Sequence, residues 1–111
     1  MKFTVERSKW ARGSNKPTTL VNEDGTMCCL GFLGLACGIK AEYMLRRASP
    51  VETSELKWVD GLIEYRKVPC ATKGLRNILH INDNSYISDS TRESELIQAF
   101  KGIDIDVEFV D

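Results

Sequence analysis

Three of the four cysteines in this 111-residue chain lie in one uncharged segment, MCCLGFLGLACG, at residues 27–38. Thiolates bind soft metals and act as nucleophiles, so the segment is a metal centre, a reactive thiol or a packing element. The start of a helix lowers a thiol pKa, which makes Cys28 or Cys29 the candidate nucleophile. His80, the chain's single histidine, is the candidate base.

A zinc site does not fit the cysteine spacing. On a helix, Cys29 and Cys37 are separated by about 12 Å of rise, whereas tetrahedral ligands lie within roughly 4 Å of one another. The sequence contains no CxxC pair, and a free cysteine commonly packs as a small apolar side chain. We therefore expect no metal, no cofactor and no enzymatic activity. A thiol enzyme using Cys28 or Cys29 with His80 is the alternative.

The same segment predicts a buried helix at the centre of the fold. Gly31, Gly34 and Gly38 share a narrow band of its surface, and such a stripe permits close backbone approach by a neighbouring element. The other positions are apolar, which predicts burial on all sides. Thr26 is the expected N-cap, and Gly38 is the expected end.

The rest of the chain predicts a small single α+β domain over residues 1–111. MKFTVE and IDIDVEFV alternate between apolar and polar residues, as half-buried strands do, and we expect them to share an antiparallel sheet. Helices are predicted within 40–49, 71–82 and 88–102. Ser88 or Ser90 caps the last of these, with Glu93 completing a capping box to Ser90. Residues 48–70 give no clear pattern, although GLIEYRKV favours a strand.

The net charge and its distribution along the chain bear on which partners the protein binds. The net charge of −1 disfavours a protein that coats nucleic acid. Residues 1–20 contain five basic residues and one acidic residue, which gives them a charge of +4. Residues 92–111 contain two basic and six acidic residues, which gives them a charge of −4. These ends can pair within the fold or between subunits, and we expect a homo-oligomer.

No long apolar segment is present. The longest such run, 13 residues from Met27 to Ile39, is shorter than the ~18 residues that a membrane span requires, and the N-terminal residues have no signal-peptide run. We therefore expect no membrane partner and a cytoplasmic location.

Two surfaces are candidates for binding. In SKWARGSNK, Trp10 is interleaved with Lys9 and Arg12, a combination that stacks a base and neutralises phosphate. Asn82 and Asp83 add hydrogen bonds, so these residues predict a nucleotide-type ligand. The set comprises Lys9, Trp10, Arg12, Asn82 and Asp83.

The second surface is acidic. Asp104, Asp106 and Glu108 occupy alternate positions of the last strand, about 6.5–7 Å apart, near the phosphate repeat of an extended nucleic-acid strand. This spacing predicts a protein partner that normally binds nucleic acid. The alternative is that the charges protect a sheet edge from aggregation.

Four segments resemble, in the same order, a family of small bacteriophage and prophage proteins. They are SKWARG, GTMCCLGFLGLACG, INDN and TRESELIQAFKGIDIDVEFV, and the family patterns are KWxRG, GKMCCLGF, NDD and GIxVEFV. Residues 48–70 have no counterpart. The resemblance implies a phage accessory protein in the cytoplasm of a bacterial host. We expect an anti-defence protein that sequesters a nucleotide-type signal, or alternatively inhibits a host defence or nucleic-acid-processing protein.

Overall fold

The computed structural model describes residues 2–13, 19–46 and 69–111, and within 69–73 it describes the backbone only. Two strands and four helices are present in these ranges. The strands are β1 (Lys2–Glu6) and β2 (Asp106–Val110), and the helices are α1 (Cys29–Ala36), α2 (Ala41–Met44), α3 (Pro69–Asp83) and α4 (Asp89–Lys101). A 3-10 turn, Arg7–Lys9, follows β1. The predicted strand in GLIEYRKV lies outside the described residues.

The two terminal strands pair as predicted, but their predicted antiparallel direction is wrong. β1 and β2 are parallel, with Phe3 opposite Val107 and Val5 opposite Phe109. Apolar and polar residues alternate in the same way in parallel and antiparallel strands, so the alternation carries no information on strand direction. Direction is set by the connection, and here the helices between the strands return the chain to the starting end of the sheet.

Helix α1 is the central element, as predicted. Residues 29–34 are buried, and α1 contacts β1, α2 and α3. The prediction of burial on all sides is wrong for the last turn, where Leu35 is 41% exposed. A Cβ at Gly31 would overlap the main-chain carbonyl of Leu20, so this glycine permits the close approach that the sequence predicted.

The two ends of α1 differ from each other in how well they were predicted. Gly38 follows the helix with a φ of +87°, and the N–H groups of Gly38 and Ile39 donate to the carbonyls of Leu35 and Gly34. This is a Schellman ending, which confirms the predicted stop. Thr26 is not the N-cap: Cys28 occupies that position, and Thr26 instead hydrogen bonds to Asp24 within the preceding turn.

Helices α3 and α4 pack against each other, and α4 also packs on β2. Ser88 caps α4 by accepting a hydrogen bond from the N–H of Thr91. The predicted capping box is wrong, because the Glu93 carboxylate instead binds Arg7. The buried face of α4 carries Arg92, Leu96 and Phe100, with Phe100 meeting Phe3 of β1 edge to face.

Candidate functional site

Asn82, at the end of α3, joins three separate parts of the chain. Its side chain is completely buried, and its Oδ1 accepts from Trp10 Nε1 at 2.8 Å and from the N–H of Cys29 at 3.1 Å. Its Nδ2 donates to the carbonyl of Ala11 at 3.1 Å and to Asp83 Oδ1 at 3.0 Å. We call Asn82, Trp10, Ala11 and Cys29 the buried junction. It links the SKWARG, MCCLGF and INDN segments.

Trp10 is an integral part of this interior. The residue is 3% exposed, and the Phe109 ring packs against it with centroids 4.8 Å apart. The guanidinium of Arg12 lies over the indole, 4.7 Å from the ring centroid. The indole N–H of Trp10 donates to Asn82 Oδ1. A base stacking on this ring would first have to displace one of these neighbours.

The remaining residues of the predicted nucleotide set lie around the junction. Arg12 donates to the carbonyls of Arg7 and Trp10 and forms an ion pair with Asp89. Lys9 is exposed and lies 3.7 Å from the Glu6 carboxylate. The structure therefore brings Trp10, Arg12, Asn82 and Asp83 together, but Trp10 and Asn82 are engaged in holding the fold. Nucleotide binding by the five-residue set stays a prediction.

The three cysteines in and next to α1 are in two environments. Cys28 and Cys29 are completely buried, and burial raises the pKa of Cys28 to about 12 and that of Cys29 well above its ordinary value. Desolvation outweighs the effect of the helix start, and the negative charge of Asp83 acts in the same direction. Cys37 is partly exposed, and burial raises its pKa to about 11. All three therefore favour the neutral thiol at pH 7.

His80, the candidate base, is exposed on α3, whereas Cys28 and Cys29 are enclosed. A thiolate–imidazole pair would require one of these side chains to change its environment. Among the described residues, no group of three or more histidine, cysteine, aspartate or glutamate side chains could hold a metal ion.

The acidic surface is exposed, but its geometry differs from the prediction. Asp106 and Glu108 point outward from β2, while Asp104 precedes the strand at a φ of +60°. The regular alternate spacing therefore holds for Asp106 and Glu108 only. Lys2 of the neighbouring strand lies 3.2 Å from the Glu108 carboxylate and partly neutralises it.

The oppositely charged ends of the chain meet within one molecule. Arg7 donates to both carboxylate oxygens of Glu93 at 2.9 and 2.8 Å and to Asp111 at 2.9 Å. Arg12 contacts Asp89 at 2.9 Å. We call Arg7, Arg12, Asp89, Glu93 and Asp111 the charged cluster. Since the ends are paired internally, their charges give no separate support to the predicted homo-oligomer.

Arg92 was not predicted to be important, yet its side chain is only 4% exposed. It donates to the carbonyls of Asn84 at 2.7 Å and Ile87 at 3.2 Å, which fixes the turn between α3 and α4. The sequence contains a signal for this burial. Arg92, Leu96 and Phe100 follow one another at intervals of four, which places the arginine on the apolar face of α4.

An open groove runs between α3 and α4 and encloses about 470 Å³. It is lined by Asn77, Ile81, Ser94, Glu95, Gln98 and Ala99. None of the residues predicted from the sequence to form a site contributes to this lining.

No protein-family model matches the chain, and neither a curated protein nor a solved structure is similar to it. The resemblance to phage-encoded proteins thus stays an expectation. Within the part of the chain that the structure describes, no helix is long and apolar enough to cross a membrane.

Proposed function

We propose that this protein works by binding another protein, without chemistry of its own, through the acidic surface of Asp104, Asp106 and Glu108. The observation that carries the proposal is a contrast in exposure. These three acidic side chains are exposed, whereas Trp10 and Asn82 of the nucleotide set are 3% and 0% exposed. The acidic surface can meet a partner without any rearrangement of the fold.

The charge of this surface favours one class of partner. Asp106 and Glu108 are two residues apart on an extended strand, which places their Cα atoms about 6.5–7 Å from each other. Paired carboxylates at this spacing attract a protein whose own surface binds the phosphates of a nucleic-acid strand. Following the resemblance to phage-encoded proteins, we place that partner among the defence or nucleic-acid-processing proteins of a bacterial host.

A capture experiment with matched variants tests the proposal. The immobilised protein is incubated with bacterial lysate at about 0.1 M salt, where exposed charges still interact over about 10 Å. We expect a stoichiometric protein partner that single-stranded DNA displaces. Capture should fall about tenfold or more in the Asp106→Asn/Glu108→Gln double variant, because both attractive charges are lost.

The control removes two exposed carboxylates elsewhere, through Glu42→Gln on α2 and Glu95→Gln on α4. It should capture as much partner as the unmodified protein. Equal loss in both double variants, or capture that single-stranded DNA does not affect, contradicts the proposal.

A further inference from the structure

Two arginines converge on one carboxylate at the start of α4. Arg12 contacts Asp89 Oδ2 through Nη2 at 2.9 Å and through Nε at 3.3 Å. Arg92 approaches the other oxygen, Oδ1, with its Nε at 3.6 Å. The carboxylate thus presents one oxygen to each guanidinium, as two oxygens of a phosphate group would.

Both guanidinium groups are held in place independently of Asp89. Arg12 lies over the Trp10 ring and donates to the carbonyls of Arg7 and Trp10. Arg92 donates to the carbonyls of Asn84 and Ile87 at either end of the inter-helix turn. If the carboxylate leaves, two positive charges remain fixed beside each other.

Arg92 contains an unsatisfied donor. Among the described residues, its Nε is a buried side-chain nitrogen without a hydrogen-bond partner, because Asp89 at 3.6 Å is too distant to accept one. A buried donor without an acceptor loses its hydrogen bonds to water and gains none in the fold, so such groups are rare and call for an explanation. An oxyanion that approaches more closely than Asp89 would satisfy it.

The surroundings favour an anion. α4 is 13 residues long, and its N-terminal end carries a partial positive charge. The hydroxyls of Ser88 and Thr91 are in the same turn, 3.0 Å apart. Asp89 itself is about half exposed, so its side chain can turn into solvent without disturbing the core.

We propose that Arg12, Arg92 and the N-terminal turn of α4 bind the phosphate group of a ligand, and that Asp89 occupies this position when no ligand is bound. This site goes beyond the proposed function, because it shares no residue with the acidic surface. It uses the phosphate-neutralising role that the sequence predicted for Arg12, without requiring a base to stack on Trp10.

Titration with inorganic phosphate tests the site in the intact protein at pH 7 and low salt. Binding is followed by calorimetry and by the amide NMR signals of Ser90 and Thr91. Asp89→Asn should bind phosphate about tenfold more tightly than the unmodified protein, because it removes the internal competitor while retaining the shape of the side chain. Arg12→Gln should weaken binding about tenfold or more.

The control is Arg46→Gln, which removes an exposed arginine paired with Glu23 and should leave binding unchanged. A parallel titration with adenosine monophosphate distinguishes the sources of the phosphate: tighter binding than inorganic phosphate indicates a nucleotide, and equal binding indicates recognition of the phosphate alone. Both results support the site. Failure of Asp89→Asn to bind phosphate, or equal binding by Arg12→Gln and the unmodified protein, overturns it.

Discussion

The N-terminal segment is attached to the helices by two regions of opposite character. In the buried junction, Asn82 has no exposure to solvent and makes neutral hydrogen bonds to Trp10, Ala11 and Cys29. In the charged cluster, Arg7 and Arg12 bind carboxylates at distances just as short, but their side chains are 37% and 27% exposed. Similar hydrogen-bond lengths thus occur in very different surroundings.

Burial, rather than the number of charges, should decide which region contributes more stability. Exposed ion pairs are screened by water and contribute roughly 0–1 kcal/mol each. A buried polar group that loses its partner retains its full desolvation cost, about 1–3 kcal/mol. The uncharged junction is therefore expected to be the stronger attachment, and the following predictions test that ranking.

The largest effect is expected from Asn82→Ala. It leaves the indole N–H of Trp10, the N–H of Cys29 and the carbonyl of Ala11 without their partner. We expect the free energy of unfolding to fall by about 4 kcal/mol, measured by urea denaturation. Asn77→Ala, an exposed amide on the same helix, is the control and should change stability by less than about 0.5 kcal/mol. Similar losses of unfolding free energy in both variants would show that the buried junction contributes no more stability than an exposed amide does.

Gly31→Ala should have the next largest effect. The added Cβ would overlap the Leu20 carbonyl, which is main chain and cannot rotate away. We expect a loss of about 3 kcal/mol in unfolding free energy by the same measurement. Gly102→Ala provides the control, because Gly102 has a φ of −62°, which alanine adopts readily. A neutral Gly31→Ala would mean that α1 does not approach the preceding segment so closely.

Alkylation of the cysteines tests whether the junction is closed to solvent. At pH 8, iodoacetamide should modify Cys28 and Cys29 about a hundredfold more slowly than Cys37, because they react only after local opening. Peptide mass spectrometry measures each rate separately. Rapid labelling of Cys28 or Cys29 at pH 6 would instead support a reactive thiol.

The raised thiol pKa values also predict alkaline sensitivity. The folded state retains the Cys28 proton up to a pKa of about 12, whereas the unfolded state loses it near its ordinary value of 9.0. The stabilisation is complete below pH 9 and decreases as the pH rises through this window. Urea denaturation between pH 8 and pH 11 should show this decrease, and Cys28→Ala should reduce its slope.

The smallest effect is expected in the charged cluster. The hydrogen bond from Arg12 lowers the pKa of Asp89, so the pair stabilises the fold above pH 4 and the contribution is lost as the pH falls through the lowered value. Since both side chains are partly exposed, Arg12→Gln should cost about 1 kcal/mol or less at pH 7. The cost should be smaller at pH 2, where the variant loses only the contacts of Arg12 with Trp10 and the carbonyl of Arg7. Thermal denaturation at both pH values checks this, and an effect equal to that of Asn82→Ala would contradict the ranking.

Local features of the sequence predicted the elements well wherever one residue type has a clear local role. Gly38 ends α1, Ser88 begins α4, and the alternation at each end of the chain marks a strand. The same reasoning failed for Thr26 and for the partner of Glu93. In both cases a side chain that fits a helix cap has a better partner elsewhere, in the preceding turn or on Arg7.

The candidate site was less accessible to prediction. The sequence marked Trp10, Arg12 and Asn82 as polar and aromatic groups that belong together, and the structure does bring them together. The sequence could not indicate that the Trp10 indole would be buried. A tryptophan next to arginine is equally compatible with an open stacking surface and with a covered core residue.

The sequence by itself determined which residues are apolar, where α1 ends and α4 begins, and that the two chain ends carry opposite charges. Tertiary structure alone decided that β1 and β2 are parallel, that Asn82 is the centre of a buried hydrogen-bond network, and that Arg12 and Arg92 share Asp89. The physical reason is the separation along the chain between the residues that interact. Caps and periodicity act within one or two turns, whereas strand direction and side-chain partners depend on contacts between residues some 70–100 positions apart.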